Sequence, residues 1–302
     1  MKSILMKKII FSGLLPVIAI ILTQCTSVPE WQKKNKELIK QYAFTERKLS
    51  GLPETKIVSN LEPSIVTSLD SVTRTNLYPG VNATLFWGSG TMVCLLQLEP
   101  NAKITEDVLP SDRFVFVLEG EIEQLIEGSF VQMISKKREE PDGTHSVTPR
   151  VDFVYLEKGN KNALNAGSSG ALLLEVYSPV RLDYLQKAGV ADTPTSTVDL
   201  TATRVPNVRP NLVYNLWDLQ LTELAAGANS RLVTGKSTQL SFLSMDPGAV
   251  FDRHLHPEEQ MMLVLRGGCS EMLLDGEQNM SKGNVVLIPG NMVHGAKTGD
   301  LG

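Results

Sequence analysis

The chain has 302 residues, 42% of them hydrophobic and 21% charged, with a net charge of -4 and a pI of about 5.7. That is enough for one large or two ordinary domains, with the composition of a folded globular protein. The mild acidity offers no basic field and no base-stacking motif accompanies it, so nucleic acid is not expected as a partner.

Residues 1–25 read as an export signal. Lys2, Lys7 and Lys8 form a basic start, Ile9 to Leu22 an apolar run, and Thr23-Gln24-Cys25 follows. The run is too short and one-sided for a transmembrane span. Leu22-Thr23-Gln24-Cys25 resembles the lipobox of bacterial lipoproteins, although Gln24 stands where a small residue is usual. The resemblance implies lipidation at Cys25; a plain secretory signal or an uncleaved anchor is the alternative. In each case the protein is expected to work outside the cytoplasm, periplasmic or membrane-anchored, touching membrane only through this segment.

Residues 26–60 are polar and Lys/Glu-rich, with an amphipathic stretch from Trp31 to Tyr42 that predicts a short helix. They read as a tether and docking arm. From Pro63 the chain repeats itself at a constant offset of 147 residues: Gly80 and Asn82 answer Gly227 and Asn229, Gly88 and Thr91 answer Gly235 and Thr238, and Val117-Leu118-Glu119-Gly120 answers Val264-Leu265-Arg266-Gly267. A charged loop near 136–148 interrupts the first copy, after which the register resumes at an offset of 132. A gapless register of this length points to two copies of one domain. Short apolar or alternating runs separated by Gly, Pro, Asn and Asp, such as Phe114–Leu118 and Asn284–Ile288, point to an all-β fold of tandem barrels. The expected domains are 61–190 and 200–302. Gly170 aligns with Gly302, so the second barrel is expected to lack the counterpart of the strand from Ala171 to Tyr184.

Cys94 and Cys269 lie in apolar runs without disulfide-framework spacing and read as buried thiols. Three of the chain's four histidines fall in one region. His254 and His256 are one residue apart, a spacing that puts both imidazoles on one face of a strand. Gln260 follows on that face if the strand is continuous, a condition that Pro257 could break. His294 arrives from a second hairpin. Three imidazoles and one oxygen suit a divalent ion such as Zn, Ni, Mn or Fe, with positions left for water or substrate. Glu258 and Glu259 flank these ligands, and Arg253 and Arg266 lie close by. Glu259 as general base and Arg253 as contact for an anionic substrate are the catalytic candidates, against the plainer reading of a solvated strand end.

Gly248, His254, His256, Gln260 and Gly267, then Gly283, Pro289 and His294, keep the two-motif spacing of the cupin superfamily, with Gln260 where Glu is usual and Asn291 where Gly is usual. The chain thus resembles a bicupin of two jelly-roll barrels. The first copy answers the ligand positions with Asp107, Leu109, Arg113 and Asn162. Leu cannot ligate and Arg repels a cation, so that barrel is expected to be metal-free, with Arg113 either binding a carboxylate or forming a structural ion pair. The Gln260 ligand with its following motif resembles the small cupins that linearise unsaturated uronates, whose terminal Arg and Asp would match Arg181 and Asp183. There is also a resemblance to bicupin ureidoglycine aminohydrolases. A neutral Gln favours Lewis-acid work, and the uronate-cupin resemblance implies a small polar substrate such as a sugar acid. A non-catalytic metal- or sugar-binding cupin and a cupin dioxygenase are the alternatives, and homo-oligomerisation is open.

Overall fold

The computed structural model describes residues 28–48, 57–136, 150–191, 193–194 and 205–299. The export signal with Cys25, and the loop expected near 136–148 apart from Lys136, lie outside the described residues. No helix among those residues is long and apolar enough to cross a membrane.

A helix, α1 (Glu30–Gln41), precedes the first copy, which holds β1 (Thr67–Ser68), β2 (Arg74–Tyr78), β3 (Val81–Trp87), β4 (Met92–Leu98), β5 (Lys103–Val108), β6 (Asp112–Ile126), β7 (Ser129–Lys136), β8 (Arg150–Leu156) and β9 (Lys161–Ser178), then a short helix α2 (Leu182–Lys187). The second copy holds β10 (Val213–Asn215), β11 (Leu221–Ala225), β12 (Ala228–Thr234), β13 (Gln239–Met245), β14 (Val250–His254), β15 (Gln260–Leu263), β16 (Gly268–Leu273), β17 (Gly276–Ser281), β18 (Asn284–Ile288) and β19 (His294–Lys297). The second series repeats the first in order, β15 and β16 together answering β6 and β19 answering the start of β9, which is the duplication read from the sequence. Even the register shift in β5 between Ile104 and Asp107 recurs in β14 between Phe251 and His254.

Alternation builds the barrels. Along β4, Met92, Cys94, Leu96 and Leu98 are buried, and with Leu85, Val117, Leu164 and Leu173 they fill the first interior. Val264, Leu273, Met280, Val286, Ile288 and Met292 fill the second. Between the barrels lie two further clusters, one around Phe114, Phe116, Phe153 and Val233, the other around Leu61, Phe86, Val285 and Leu287. These are each other's repeats: Phe86 and Val233 occupy one position, Phe153 and Val285 another. The interface is thus a pseudo-two-fold one inside a single chain.

The copies also exchange strands. β1 pairs with β18 of the second barrel, and its counterpart β10 pairs with β8 of the first. The sequence boundaries 61–190 and 200–302 assigned each strand to its own barrel. The exchange is invisible to a repeat alignment because it concerns pairing partners rather than residue types. Two turns seal the joint. A Cβ on Gly88 would lie 2.0 Å from Oε1 of Glu259, and one on Gly235 would lie 2.8 Å from the Phe114 ring. At Gly235 the rigid ring makes glycine necessary, whereas at Gly88 the obstacle is the movable end of the Glu259 side chain.

In the first barrel β4 is paired on both edges, by β3 and β9. Among the described residues β13 is paired by β12 alone, and Leu243 at its middle is 39% exposed.

Candidate metal centre

β14 ends at His254, and the chain then turns through His256, Pro257 and Glu258 before β15 begins at Gln260. The continuous strand envisaged from the spacing is therefore interrupted between His254 and Gln260. The turn nevertheless keeps His256 and Gln260 together, with His256 Nε2 3.1 Å from Gln260 Oε1. β19 lies antiparallel to β14 and sets His294 directly opposite His254. Ring centroids are 4.3 Å apart for His254 and His294, and 5.0 Å for His256 and His294. One ligand atom from each of the three imidazoles lies within 4.8 Å of the others.

The hydrogen bonds fix the imidazole tautomers. Nδ1 of His254 lies 2.8 Å from the carbonyl of Asp252, Nδ1 of His256 2.9 Å from that of Glu258, and Nδ1 of His294 2.8 Å from that of Met292. A carbonyl only accepts, so each Nδ1 carries the hydrogen and each Nε2 presents a bare lone pair. Nε2 of His294 is buried without a partner. Nε2 of His256 faces the amide oxygen of Gln260, two acceptors turned toward one another. Lone pairs converging on one point without a donor between them are what a cation satisfies, so the donor set fits a divalent ion. Burial, reinforced by the neighbouring His254 and His256, pushes the His294 pKa down to about 3 against a backbone bond that works the other way. His294 is therefore neutral and able to ligate across the physiological range.

Support for His294 comes from α1. Asn35, buried, donates to the carbonyl of Asn291 at 2.8 Å and accepts from the N–H of Val293 at 2.8 Å. Asn291 has φ of 60°, the left-handed region that Asn tolerates better than most other side chains. Trp31 packs against the second interior. The helix read as a docking arm thus grips the loop that delivers a candidate ligand. Asn35 escaped the sequence reading because one Asn in a Lys/Glu-rich helix carries no signal until its partner is known.

Two candidate catalytic residues make their contacts elsewhere. The Glu259 carboxylate accepts bonds from the N–H and Oγ of Ser89, all at 2.9 Å, so it clasps the first barrel instead of facing the imidazoles. Arg253, one residue out of phase with His254, donates to the carbonyls of Met272 and, more weakly, Leu273, and lies over the Tyr42 ring. Strand alternation turns it away from the site. Glu258 stays near the site, its Oε2 3.7 Å from Nδ1 of His256, on the side away from the converging Nε2 atoms.

In the first barrel, Asp107, Arg113 and Asn162 do meet: Asn162 donates to Asp107 at 3.2 Å and accepts from Arg113. Arg113 forms a buried ion pair with Glu175, so of its two readings the structural one holds. Burial opposes the guanidinium charge, but Glu175 overrides it and the pKa stays above its ordinary value. Arg181 and Asp183 pair with each other, Arg181 lying over the Tyr184 ring, and both belong to the first barrel. Cys94 is buried and Cys269 half-buried, both free. Glu271 is the residue the sequence reading passed over. It is 1% exposed in β16, and burial pushes its carboxyl up to about 8.

Residues 241–300 match the family described as "Cupin domain". No curated protein matches the sequence. Among solved structures the chain is similar to AerE from Microcystis aeruginosa at 15% identity and a TM-score of 0.52, over 74% of this chain and 89% of that one. It is similar to a single-residue mutant of Bacillus subtilis oxalate decarboxylase at 15% identity and a TM-score of 0.53, over 81% and 75%. The formate complex of Lactobacillus farciminis oxalate decarboxylase gives 15% and 0.53, over 82% and 85%. At these identities the likeness is one of fold.

Proposed function

We propose that this protein, a two-barrel chain with the cupin-superfamily fold and a cupin domain in its second barrel, is an exported metal-dependent enzyme of Lewis-acid type. Its substrate class is a small oxygen-rich acid, an unsaturated uronate or a related sugar acid. The observation that carries the reading is the convergence of three bare Nε2 atoms with the Gln260 amide oxygen. When bound there, a divalent ion supplies a Lewis acid able to polarise a carbonyl or hydroxyl oxygen.

The chain's own residues do the rest. Backbone carbonyls hold each imidazole in its ligating tautomer, and Asn35 fixes the His294 loop. All four donors are neutral, a set that leaves the ion's charge intact for polarising an oxygen and lacks the carboxylate of the two-His-one-carboxylate iron site. His254, His256 and Gln260 are only partly buried, which leaves a path for a small substrate. Export rests on the basic, then apolar, N-terminal run, and anchoring on lipidation of Cys25.

The test is metal analysis of the purified protein, followed by incubation with unsaturated galacturonate while the alkene absorbance is recorded. Loss of that band with wild type and none with His254→Ala is the expected result. Equal rates for the two proteins would overturn the enzymatic reading, and substrate-linked oxygen uptake on bound iron would replace it with an oxygenase.

A further inference from the structure

Three imidazoles and one amide bring no negative charge to a divalent ion. Inside a barrel lined by Val286, Ile288 and Met292 that charge calls for an anion nearby. The inner wall of the second barrel offers one in Glu271. Its Oε1 is buried without a hydrogen-bond partner, and no ion pair satisfies it among the described residues.

Strand register fixes where Glu271 stands. It lies opposite Ala296 of β19 and Gln278 of β17. Ala296 is two residues from His294 and shares its face, and His294 is opposite His254. Glu271 is therefore the diagonal neighbour of His294 on the wall that carries two of the imidazoles, within reach of a long side chain. The groups placed beside it are Cys269, two residues away on the same face of its own strand, Gln278 from β17 and Ala296 from β19. None of them carries a fixed positive charge.

The first barrel realises the same geometry with other atoms. Gln124 occupies the Glu271 position, and its amide donates to Asn162, at the His294 position, at 3.1 Å. There the internal cation is Arg113 and its counter-charge is Glu175.

We propose that Glu271 is the charge-compensating residue of the metal centre, a carboxylate that balances one positive charge of an ion whose direct donors are all neutral. The inference rests on the metal reading above. Glu271 is a positioning residue that acts through its field: it is not among the three residues whose ligand atoms lie within 4.8 Å of one another.

The test is calorimetric titration of the full chain with Zn2+ at about pH 7 for wild type, E271Q, E271D and H254A. Wild type should bind roughly 10- to 100-fold tighter than E271Q. E271D, which keeps the carboxylate, should recover affinity. E271Q matching wild type in affinity, or E271D binding no better than E271Q, overturns the assignment while leaving the metal centre intact. Failure of wild type to bind Zn2+ any better than H254A overturns the metal reading and this inference together.

Discussion

The two barrels place different answers at one address. In the first, the ligand positions hold Asp107, Leu109, Arg113 and Asn162, and the interior charge is a guanidinium neutralised by Glu175. In the second they hold His254, His256, Gln260 and His294, with bare nitrogens and an orphaned Nε2. The first interior carries its cation covalently and closes around it, Arg113 and Glu175 both being almost fully buried. The second brings its donors together with His294 buried and His254, His256 and Gln260 half-buried. A duplicated fold can therefore keep one position polar in both copies while assigning structure to one and chemistry to the other.

The sharpest way to break this contrast is to remove one half of the first barrel's ion pair. Arg113→Ala leaves Glu175 buried without its partner and should cost about 3–5 kcal/mol of unfolding free energy, measured by urea denaturation. Replacing both Arg113 and Glu175 by methionine should cost far less. A single variant as mild as the double one would mean that the pair is not the first barrel's substitute for a metal.

The next effect belongs to the second barrel and to acid. The folded His294 pKa lies near 3, below the ordinary value of 6.5. The unfolded chain binds the extra proton first, so this contribution to stability is complete above about pH 6.5 and is lost as pH falls toward 3. In metal-stripped protein the loss should be on the order of a few kcal/mol across that window. His294→Asn, which installs the first barrel's residue, should flatten the slope; an unchanged slope would place the acid sensitivity elsewhere.

Asn35→Ala sharpens the comparison at the helix that serves the second site. It unpairs the Val293 N–H and the Asn291 carbonyl and should cost about 1–3 kcal/mol, with weaker Zn2+ binding on titration. The smallest effect is expected from Glu259→Gln. It weakens the clasp on Ser89 by about 1 kcal/mol and should leave Zn2+ affinity unchanged. A large loss of affinity in that variant would restore Glu259 to the site.

Much of this was legible in the chain itself. The 147-residue offset carries the duplication, and alternating runs carry the strands. The His254–His256 spacing, with Gln260 and His294, contains the cluster because ligand type and order are local properties. The interruption between His254 and Gln260 did not disturb it, since the turn returns Gln260 to His256. Other features depended on what lies across space. The exchange of β1 and β10 is a matter of pairing partners. Glu259 and Arg253 looked catalytic because they adjoin ligands in sequence, yet a clasp on Ser89 and the alternation of a strand turn them away. Asn35 and Glu271 looked ordinary because their importance lies in being buried beside the His294 loop and the imidazole wall. A sequence records which groups a chain owns and their local period. Only tertiary structure decides which of them lose water and what they meet when they do, and that desolvation sets their chemistry.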